Sequence, residues 1–385
     1  MDTRLVVLAL GQFVGTMESS AVPALLPSIG AETGASLADT GYVVFGYTVA
    51  YAIAAPVLGA LLGAADRRRV LAAAELTLGL CALLIALAPT LQLIIVARAL
   101  LAGAAVLFTS MAQATAVAVA APERRGRALS ILLTGGTLGV AVGAPLNALI
   151  GLQFGWRVTF GVVAVVAIIA AATIWLRLPA GIVGERRGLR ERFAVLVQPG
   201  VPAILATSLF YLGGAFVITI YLAAITTQAM HLAASTLPLL LLANGLGSVL
   251  GGMTGGQLID RFGARRSVLA LMLATVVVMA LIPAVPLLPE PLILPVWMLV
   301  VAFLGVTGWA VFAGLIAMLA GLAPQVLPLA ASLNLSAMNV GIAIGAVAGS
   351  TALARAGAGS LGLVAAAFCL CGAAIVLFNR RAAAA

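Results

Sequence analysis

Two charged side chains lie deep inside long apolar stretches of the sequence, and they are the first candidates for chemistry. Glu18 lies near the middle of an apolar run over residues 5–29, and Arg98 lies within a second run over residues 91–120. A charge in such a stretch is costly unless it is paired, neutralised or exposed to water, so it usually has a function. We therefore predict that Glu18 takes up and releases a coupling proton and that Arg98 also takes part in this proton coupling. The alternative is a static pair that only fixes helix packing.

The positions of these two residues along their runs allow them to meet. If both runs are helices, Glu18 lies about 16 Å from the end of its run at residue 29, and Arg98 about 10 Å from the start of its own. An extended arginine side chain covers the difference of about 6 Å. Glu75, the other acid inside an apolar run, lies five residues past Val70. For Glu75 we favour contact with the neighbouring arginines or with water over a second proton site.

Tyrosine and asparagine side chains in the apolar runs are candidates for contact with a substrate. Their hydroxyl and amide groups need hydrogen-bond partners inside a membrane, and a bound molecule supplies them as well as a neighbouring helix does. Bridging between helices is therefore an equal alternative for each asparagine. The candidates are Tyr47, Tyr51, Asn147, Tyr211, Tyr221, Asn244, Asn334 and Asn339.

The composition identifies the solvent around these residues. Of 385 residues, 64% are hydrophobic and only 8% are charged, and the mean hydropathy is +1.23. A soluble protein carries about a quarter charged residues, so most of this surface must face lipid. With roughly 20 apolar residues for each membrane-spanning helix, the chain has room for about a dozen. The net charge of +9 then reflects membrane topology, and no nucleic-acid partner is expected.

The same composition excludes several classes of function. All 20 basic residues other than the single histidine are arginines. Without a lysine there is no P-loop that could bind a nucleotide triphosphate. One histidine and three cysteines are too few for a metal site of the His/Cys type, and no nucleophile–base pair is visible. We expect neither an enzyme nor a cofactor.

Apolar runs bounded by charge, proline or glycine define the predicted spans, with both ends uncertain by a few residues. Each must be a helix, because unpaired backbone cannot face lipid and no alternating strand pattern is present. The twelve runs cover residues 5–29, 41–62, 70–87, 91–120, 129–152, 158–176, 203–226, 236–259, 267–285, 294–322, 330–352 and 361–378.

Arginine positions predict the orientation of these spans. Seventeen of the 20 arginines lie at the two ends of the chain or in alternate loops, whereas the opposite loops carry only Arg157 and Arg355. Loops rich in arginine face the cytoplasm. Both termini are therefore predicted to be cytoplasmic, in a multi-pass protein of the cytoplasmic (inner) membrane.

The sequence divides into two similar halves. We predict an N-terminal six-helix half at residues 1–177, a cytoplasmic linker at 178–200, which contains the longest polar stretch, and a C-terminal six-helix half at 201–385. Glycines four residues apart recur at matching places, at 135, 139 and 143 in span five and at 341, 345 and 349 in span eleven. Such a strip lets a second helix approach closely, and the recurrence is typical of a transporter built from repeats.

Several motifs resemble the major facilitator superfamily. Residues 256–266 (GQLIDRFGARR) are similar to the signature that this superfamily carries between its second and third helices, while in the first half Gly63 stands where the acid usually lies. The chain further resembles the drug:proton antiporters that include sugar-efflux and chloramphenicol-resistance transporters. That resemblance rests on residues 15–18 (GTME), 122–128 (PERRGRA), 143–146 (GAPL) with 155–157 (GWR), and 332–341 (SLNLSAMNVG).

The resemblance implies an all-α membrane protein with twelve transmembrane helices in two pseudo-symmetric halves. It also implies that charges at the inner ends of helix pairs latch the two halves when the central cavity faces outward. Plain positive-inside topology would explain the arginines of this set, although not its acids. The gating candidates are Asp66, Arg67, Asp260, Arg261 and Arg265.

The predicted function is proton-coupled export of a small molecule, such as a drug, sugar derivative or metabolite, by alternating access. The expected partners are this substrate, protons and the lipid bilayer, and the protein is expected to be a monomer. One alternative is a facilitator or importer of the same fold without proton coupling. A second is a membrane sensor or scaffold that has lost transport.

Overall fold

The structure is a computed structural model that describes residues 3–36, 38–121, 125–183, 195–322 and 327–378. Within these ranges every regular element is helical, and twelve helices are long and apolar enough to cross a membrane. The predicted fold class is therefore confirmed. The start of the motif at 122–128 and the middle of the predicted linker, residues 184–194, lie outside the described residues.

The helices follow the predicted spans closely, with ends that differ by a few residues. Helix α5 consists of Arg125–Leu138, a π-helical turn Gly139–Gly143 and Ala144–Phe154. Helix α7 continues through the short turns Leu222–Ala224 and Ile225–Ala229. The remaining bounds are α1 Thr3–Thr33, α2 Gly41–Leu61, α3 Arg67–Leu87, α4 Leu91–Val119, α6 Trp156–Arg177, α7 Val201–Ile220, α8 Leu237–Phe262, α9 Ala264–Leu281, α10 Glu290–Leu322, α11 Leu327–Ala356 and α12 Leu361–Phe378.

Local sequence signals set several of these ends. The side chain of Asp66 accepts a hydrogen bond from the Arg69 amide and begins α3, and Thr90 begins α4 in the same way. Gly155 and Gly263 separate α5 from α6 and α8 from α9, with φ angles of 87° and 81°. Only glycine adopts these angles without strain, so each glycine ends one helix and starts the next.

Two compact units make up the chain. The first comprises Met1–Gly34 and Gly46–Leu189, and the second comprises Ala35–Phe45 and Arg190–Ala385. The short segment at the start of α2 thus belongs to the second unit. Its bonds explain why: Ser350 donates a hydrogen bond to the Ala38 carbonyl at 2.8 Å, and Gly41, which has no side chain, lies against the Tyr221 hydroxyl.

Within the first unit, α3 packs on α4 and α6, and α1 packs on α5. The glycine strip of α5 makes the second contact possible. A Cβ atom added at Gly143 would lie 2.8 Å from the Cβ of Met17, and Gly135 and Gly139 face the α1 backbone just as closely. The close approach predicted from the glycine spacing is therefore present.

The second unit has the matching arrangement. Helix α11 uses Gly341 and Gly345 to approach α7, and α8 packs along α10. Trp297 of α10 is fully buried and donates a hydrogen bond to the Thr226 hydroxyl at 3.0 Å. Small residues at the helix contacts and a few polar bridges hold this unit together, as expected where lipid removes the hydrophobic drive between helices.

Candidate functional site

A buried ion pair lies in the first unit. Glu18 of α1 is completely buried and Arg98 of α4 is 2% exposed, and the guanidinium donates a hydrogen bond to the Glu18 carboxylate. The Tyr47 ring of α2 stacks on the same guanidinium, with its centroid 4.4 Å from the Arg98 Cζ. Arg98 is thus held between a carboxylate and an aromatic face, which attracts a cation through its quadrupole.

Helix α5 fixes the segment of α1 that carries Glu18. The Asn147 side chain donates a hydrogen bond of 2.8 Å to the carbonyl of Met17, the residue before Glu18. Because Gly143 allows α5 to pack directly on Met17, the bond and the close contact act at the same turn of α1. The position of Glu18 therefore depends on α5 as well as on α4.

The ion pair leaves polar atoms unsatisfied. Within the described part of the chain, Oε2 of Glu18, Nε of Arg98 and Oδ1 of Asn147 are buried without a hydrogen-bond partner. A buried donor or acceptor without a partner costs roughly 1–3 kcal/mol. The pair is consequently well suited to accept a further partner, such as a proton, a water molecule or a polar group of a ligand.

The two tyrosines predicted on α2 extend this cluster. The rings of Tyr47 and Tyr51 are 5.9 Å apart, and the Tyr51 hydroxyl faces that of Thr109 on α4. Tyr51 is partly exposed, whereas Tyr47 is 8% exposed. Glu18, Arg98, Tyr47 and Tyr51 therefore form one site on α1, α2 and α4, which we call the Glu18–Arg98 site.

Most candidates in the second unit bridge helices. Asn334 of α11 accepts a 2.5 Å hydrogen bond from Ser208 of α7, and the Tyr221 hydroxyl donates to the Ala346 carbonyl at 2.8 Å. Tyr211 is fully buried, with its hydroxyl facing Thr275 and Thr307 on two other helices of the unit. Asn334 and Tyr221 thus each have a structural partner within the unit, whereas the Tyr211 hydroxyl has no hydrogen bond among the described residues.

Asn244 bridges two helices and also lines a recess, whereas Asn339 makes no bond to another helix. Asn244 of α8 donates to the Val301 carbonyl of α10 at 3.1 Å and lines a small recess of about 20 Å³ that Thr219 also borders. Asn339 bonds only to the Leu335 carbonyl of its own helix. Among the predicted substrate contacts of this unit, Asn244 is the residue that lines this recess.

The predicted gating residues of the first unit, Asp66 and Arg67, form hydrogen bonds to the start of the predicted linker. Asp66 accepts a 2.5 Å hydrogen bond from the Gly181 amide, and the Arg67 amide donates to the Ile182 carbonyl at 2.8 Å. The amides of Gly181 and Arg69 hold the pKa of Asp66 below its usual range. The Arg67 side chain is buried against the sulfur of Met111.

In the second unit the gating candidates are more exposed. Asp260 and Arg261 are exposed at the end of α8, and the Arg261 guanidinium lies over the Phe262 ring. Arg265 donates hydrogen bonds to the carbonyls of Val376 and Leu377 at the end of α12. A cation at a helix C-terminus is favourable, because it satisfies the last carbonyls and complements the helix dipole.

The expectation for Glu75 is wrong. Instead of meeting the arginines at residues 67–69 or water, Glu75 is completely buried, and neither carboxylate oxygen has a hydrogen-bond partner among the described residues. The reason is the direction in which Glu75 projects from the axis of α3. Glu75 lies on the face of α3 that also carries Leu71 and Leu78, which are 0% and 1% exposed, so the helix turns its side chain into the core.

Sequence reasoning missed a polar cluster at the C-terminal end of α1. Glu32 of α1 accepts hydrogen bonds from Trp156 at 2.5 Å and from Arg157 at 2.6 Å. Arg157 also donates to the carbonyls of Ala86 and Ala88 at the end of α3, each at 2.9 Å. The sequence signal that could have indicated this cluster was Arg157, because the loops on its side of the membrane are otherwise poor in arginine. No group of three or more potential metal ligands is close together in the described ranges.

Comparison with known proteins agrees with this architecture. The sequence matches the Major Facilitator Superfamily over residues 8–224 and 203–385. It is 27% identical to the MFS-type transporter YtbD of Bacillus subtilis, over 90% of this chain and 87% of that protein. It is 28% identical to a chloramphenicol resistance protein of Streptomyces lividans, over 88% and 86%. The fold matches the nucleoside transporter NupG with a TM-score of 0.78 at 12% identity, covering 98% of this chain and all of that one.

Proposed function

The chain belongs to the major facilitator superfamily, and we propose that it is a proton-coupled exporter of a small molecule. As a member of this superfamily it is a membrane transporter of small molecules and not an enzyme. The finer proposal concerns the coupling ion, the direction of transport and the residues that bind the proton and the substrate.

The observation that carries this proposal is the buried Glu18–Arg98 ion pair. Protonation of Glu18 would remove the negative charge that holds Arg98, and loss of that proton would restore the attraction. A charge buried without its partner is strongly destabilising. Each protonation step would therefore change which arrangement of α1, α2 and α4 has the lowest free energy, and alternating access needs such a switch.

Export is supported by a relative. A chloramphenicol resistance protein that is similar along 88% of this chain suggests removal of a compact, drug-like molecule from the cell. The Glu18–Arg98 site offers aromatic faces from Tyr47 and Tyr51 together with one acid and one cation. This chemistry suits a neutral or singly cationic amphipathic molecule.

Among the predicted substrate contacts, we retain Tyr47, Tyr51 and Asn244 as direct contacts and assign helix-bridging roles to Asn147, Tyr221 and Asn334. Asn339 bonds within its own helix and Tyr211 is fully buried, so we assign neither a direct contact. For gating, Asp260 and Arg261 remain the candidates with exposed side chains. Asp66, Arg67 and Arg265 would act through the neighbouring segments that they hold. We also propose a monomer in the cytoplasmic membrane, with both termini cytoplasmic because of the arginine distribution.

The proposal is tested in proteoliposomes that contain a fluorescent pH indicator. Chloramphenicol, ethidium and lactose are added in turn under an imposed pH gradient, to wild type, Glu18→Gln and Glu32→Gln. Glu32→Gln is the matched control, because it removes the acid of a second Glu–Arg pair on the same helix, 47% exposed and outside the proposed machinery. We expect substrate-dependent proton movement in wild type and Glu32→Gln and its loss in Glu18→Gln.

Two other outcomes would change the assignment. Transport of a compound without proton movement would favour the facilitator. Proton-coupled transport that persists in Glu18→Gln would leave the antiporter in place and remove Glu18 from its mechanism.

A further inference from the structure

Glu75 is a second acid in the core of the first unit that the proposed mechanism does not use. It lies on α3 eight residues after Arg67, which corresponds to a rise of about 12 Å along the helix. Its neighbours Leu71, Ala72 and Ala74 belong to an apolar cluster of the first unit. From the facing helices this cluster includes Leu107, Met111 and Ala112 of α4 and Ile174 of α6.

The helices packed against α3 offer Glu75 no cation in the described part of the chain. Helix α4 carries one arginine, Arg98, which is bonded to Glu18. Helix α6 carries Arg157, which is bonded to Glu32, and Arg177, which is exposed at the end of the helix. Arg4 is exposed at the start of α1.

The cations of α3 itself are directed elsewhere. Arg67 contacts Met111, and the Arg68 guanidinium lies 4.6 Å from the centre of the Trp175 ring. Arg69 is exposed. The other titratable group of α3, Cys81, lies six residues after Glu75, which corresponds to a rise of about 9 Å along the helix.

An isolated carboxylate cannot remain ionised in such surroundings at acceptable cost. Burying an unpaired charge in an apolar medium is so unfavourable that the group is neutralised instead. Protonation removes the charge and leaves a hydroxyl whose unmet hydrogen bond costs only a few kcal/mol. We propose that Glu75 is a second proton-binding site, occupied while α3, α4 and α6 are packed together, that exchanges its proton only when water enters this end of the unit.

The site differs from the Glu18–Arg98 site in its chemistry. At Glu18 a proton competes with an arginine, whereas at Glu75 it competes only with water. The ligand is the proton alone, because no other described polar group meets Glu75 to hold a larger molecule. The inference does not depend on the proposed coupling role of Glu18, and its test needs no transported compound.

Infrared spectroscopy of the purified protein tests the proposal directly, because a protonated carboxyl gives a C=O stretch separate from the amide bands. At neutral pH we expect this band in wild type and in Glu18→Gln, and its loss in Glu75→Gln. Glu75→Met, which has similar length but no acid, is the second variant in case the amide disturbs folding. Tryptophan fluorescence checks that each variant is folded.

Exchange into D2O tests when the site opens. We expect the band to move to its deuterated position slowly, on the timescale of opening of the unit. An absent band in wild type, or a band that persists in both folded Glu75 variants, would overturn the proposal. So would a band that never moves in D2O, since a permanently sealed carboxyl binds no exchangeable proton.

Discussion

At the scale of single residues, the first unit contains two acids whose surroundings make them opposites. Glu18 meets a buried arginine, while both carboxylate oxygens of Glu75 are buried without a hydrogen-bond partner in the described part of the unit. The pair at Glu18 is stabilised by mutual attraction but costs desolvation of both charges. Its net contribution to stability is therefore small compared with the cost of breaking it.

This balance predicts the behaviour of variants at Arg98. Arg98→Met removes the partner of the buried Glu18 carboxylate and should lower the free energy of unfolding by about 3–5 kcal/mol. The double variant Glu18→Leu, Arg98→Met replaces the pair with apolar groups and should return close to wild-type stability without proton coupling. Thermal unfolding measures the first effect and the proteoliposome assay the second. Equal destabilisation by the single and double variants would contradict a coupled pair.

Asp66 predicts a dependence of stability on pH. Because the Gly181 and Arg69 amides lower its pKa in the folded state, its stabilising effect is complete above the unfolded value of about 3.9 and is lost as pH falls through the folded value. Asp66→Ala should cost about 1 kcal/mol at neutral pH through loss of the helix cap, and Asp66→Asn should cost less.

The measurement for Asp66 is the unfolding midpoint across a pH series. The difference between wild type and Asp66→Asn should shrink as the solution becomes strongly acidic. A difference that stays constant over the whole series would show that the charge of Asp66 makes no contribution.

At the scale of helices, the contact between α5 and α1 fixes the turn of α1 that carries Glu18. The π-helical turn Gly139–Gly143 ends two residues before Pro145, a residue that removes a backbone donor and often accompanies a change in helix direction. This irregular turn presents glycines to Phe13, Thr16 and Met17 of α1. Small shifts of α5 therefore act on the turn that carries Glu18.

A methyl group at this contact should have a large effect. Gly143→Ala would place a Cβ 2.8 Å from the Met17 Cβ, and such overpacking costs typically 1–3 kcal/mol. We expect a lower unfolding midpoint and reduced transport. The matched control is Gly161→Ala on α6, where an added Cβ meets nothing within 4 Å; it should be neutral or stabilising. Equal effects of the two substitutions would contradict the role of the contact.

These elements also show what the sequence could predict. Glycine spacing indicated that a second helix approaches α5 closely, although not that this helix is α1, and helix rise allowed Glu18 to meet Arg98. Rise alone does not give rotation about the helix axis. For that reason the position of Glu75 along its run suggested contact with arginines, and the stacking of Tyr47 on Arg98 was not foreseen.

At the scale of the whole molecule, both units share the contact between their first and fifth helices but have different buried polar groups. Each has a glycine strip that brings its fifth helix onto its first, yet the buried ion pair found in the described residues is confined to the first unit. The polar groups of the second unit mainly bond to each other or to backbone, as Asn334 does with Ser208. The buried ion pair that carries the proposed proton coupling therefore lies in the first unit.

The arginine distribution predicts which ends of the helices face the cytoplasm. Asp260→Cys and Ser235→Cys, both at exposed positions, are introduced into a Cys371→Ala background, which removes the exposed cysteine and leaves the two buried ones. In intact cells a membrane-impermeant maleimide should label position 235 and not position 260. Permeabilised cells should show both, and the reverse pattern in intact cells would invert the proposed topology.

The buried tryptophans give the protein a built-in optical readout. Trp156 bonds to Glu32 in the first unit and Trp297 bonds to Thr226 in the second, and both rings are at most 1% exposed. Indole emission depends on polarity and on nearby charge, so the colour and lifetime of each ring should report on its own unit. Variants that retain one of these two fluorophores would let each half of the molecule be followed separately in real time, without an attached dye.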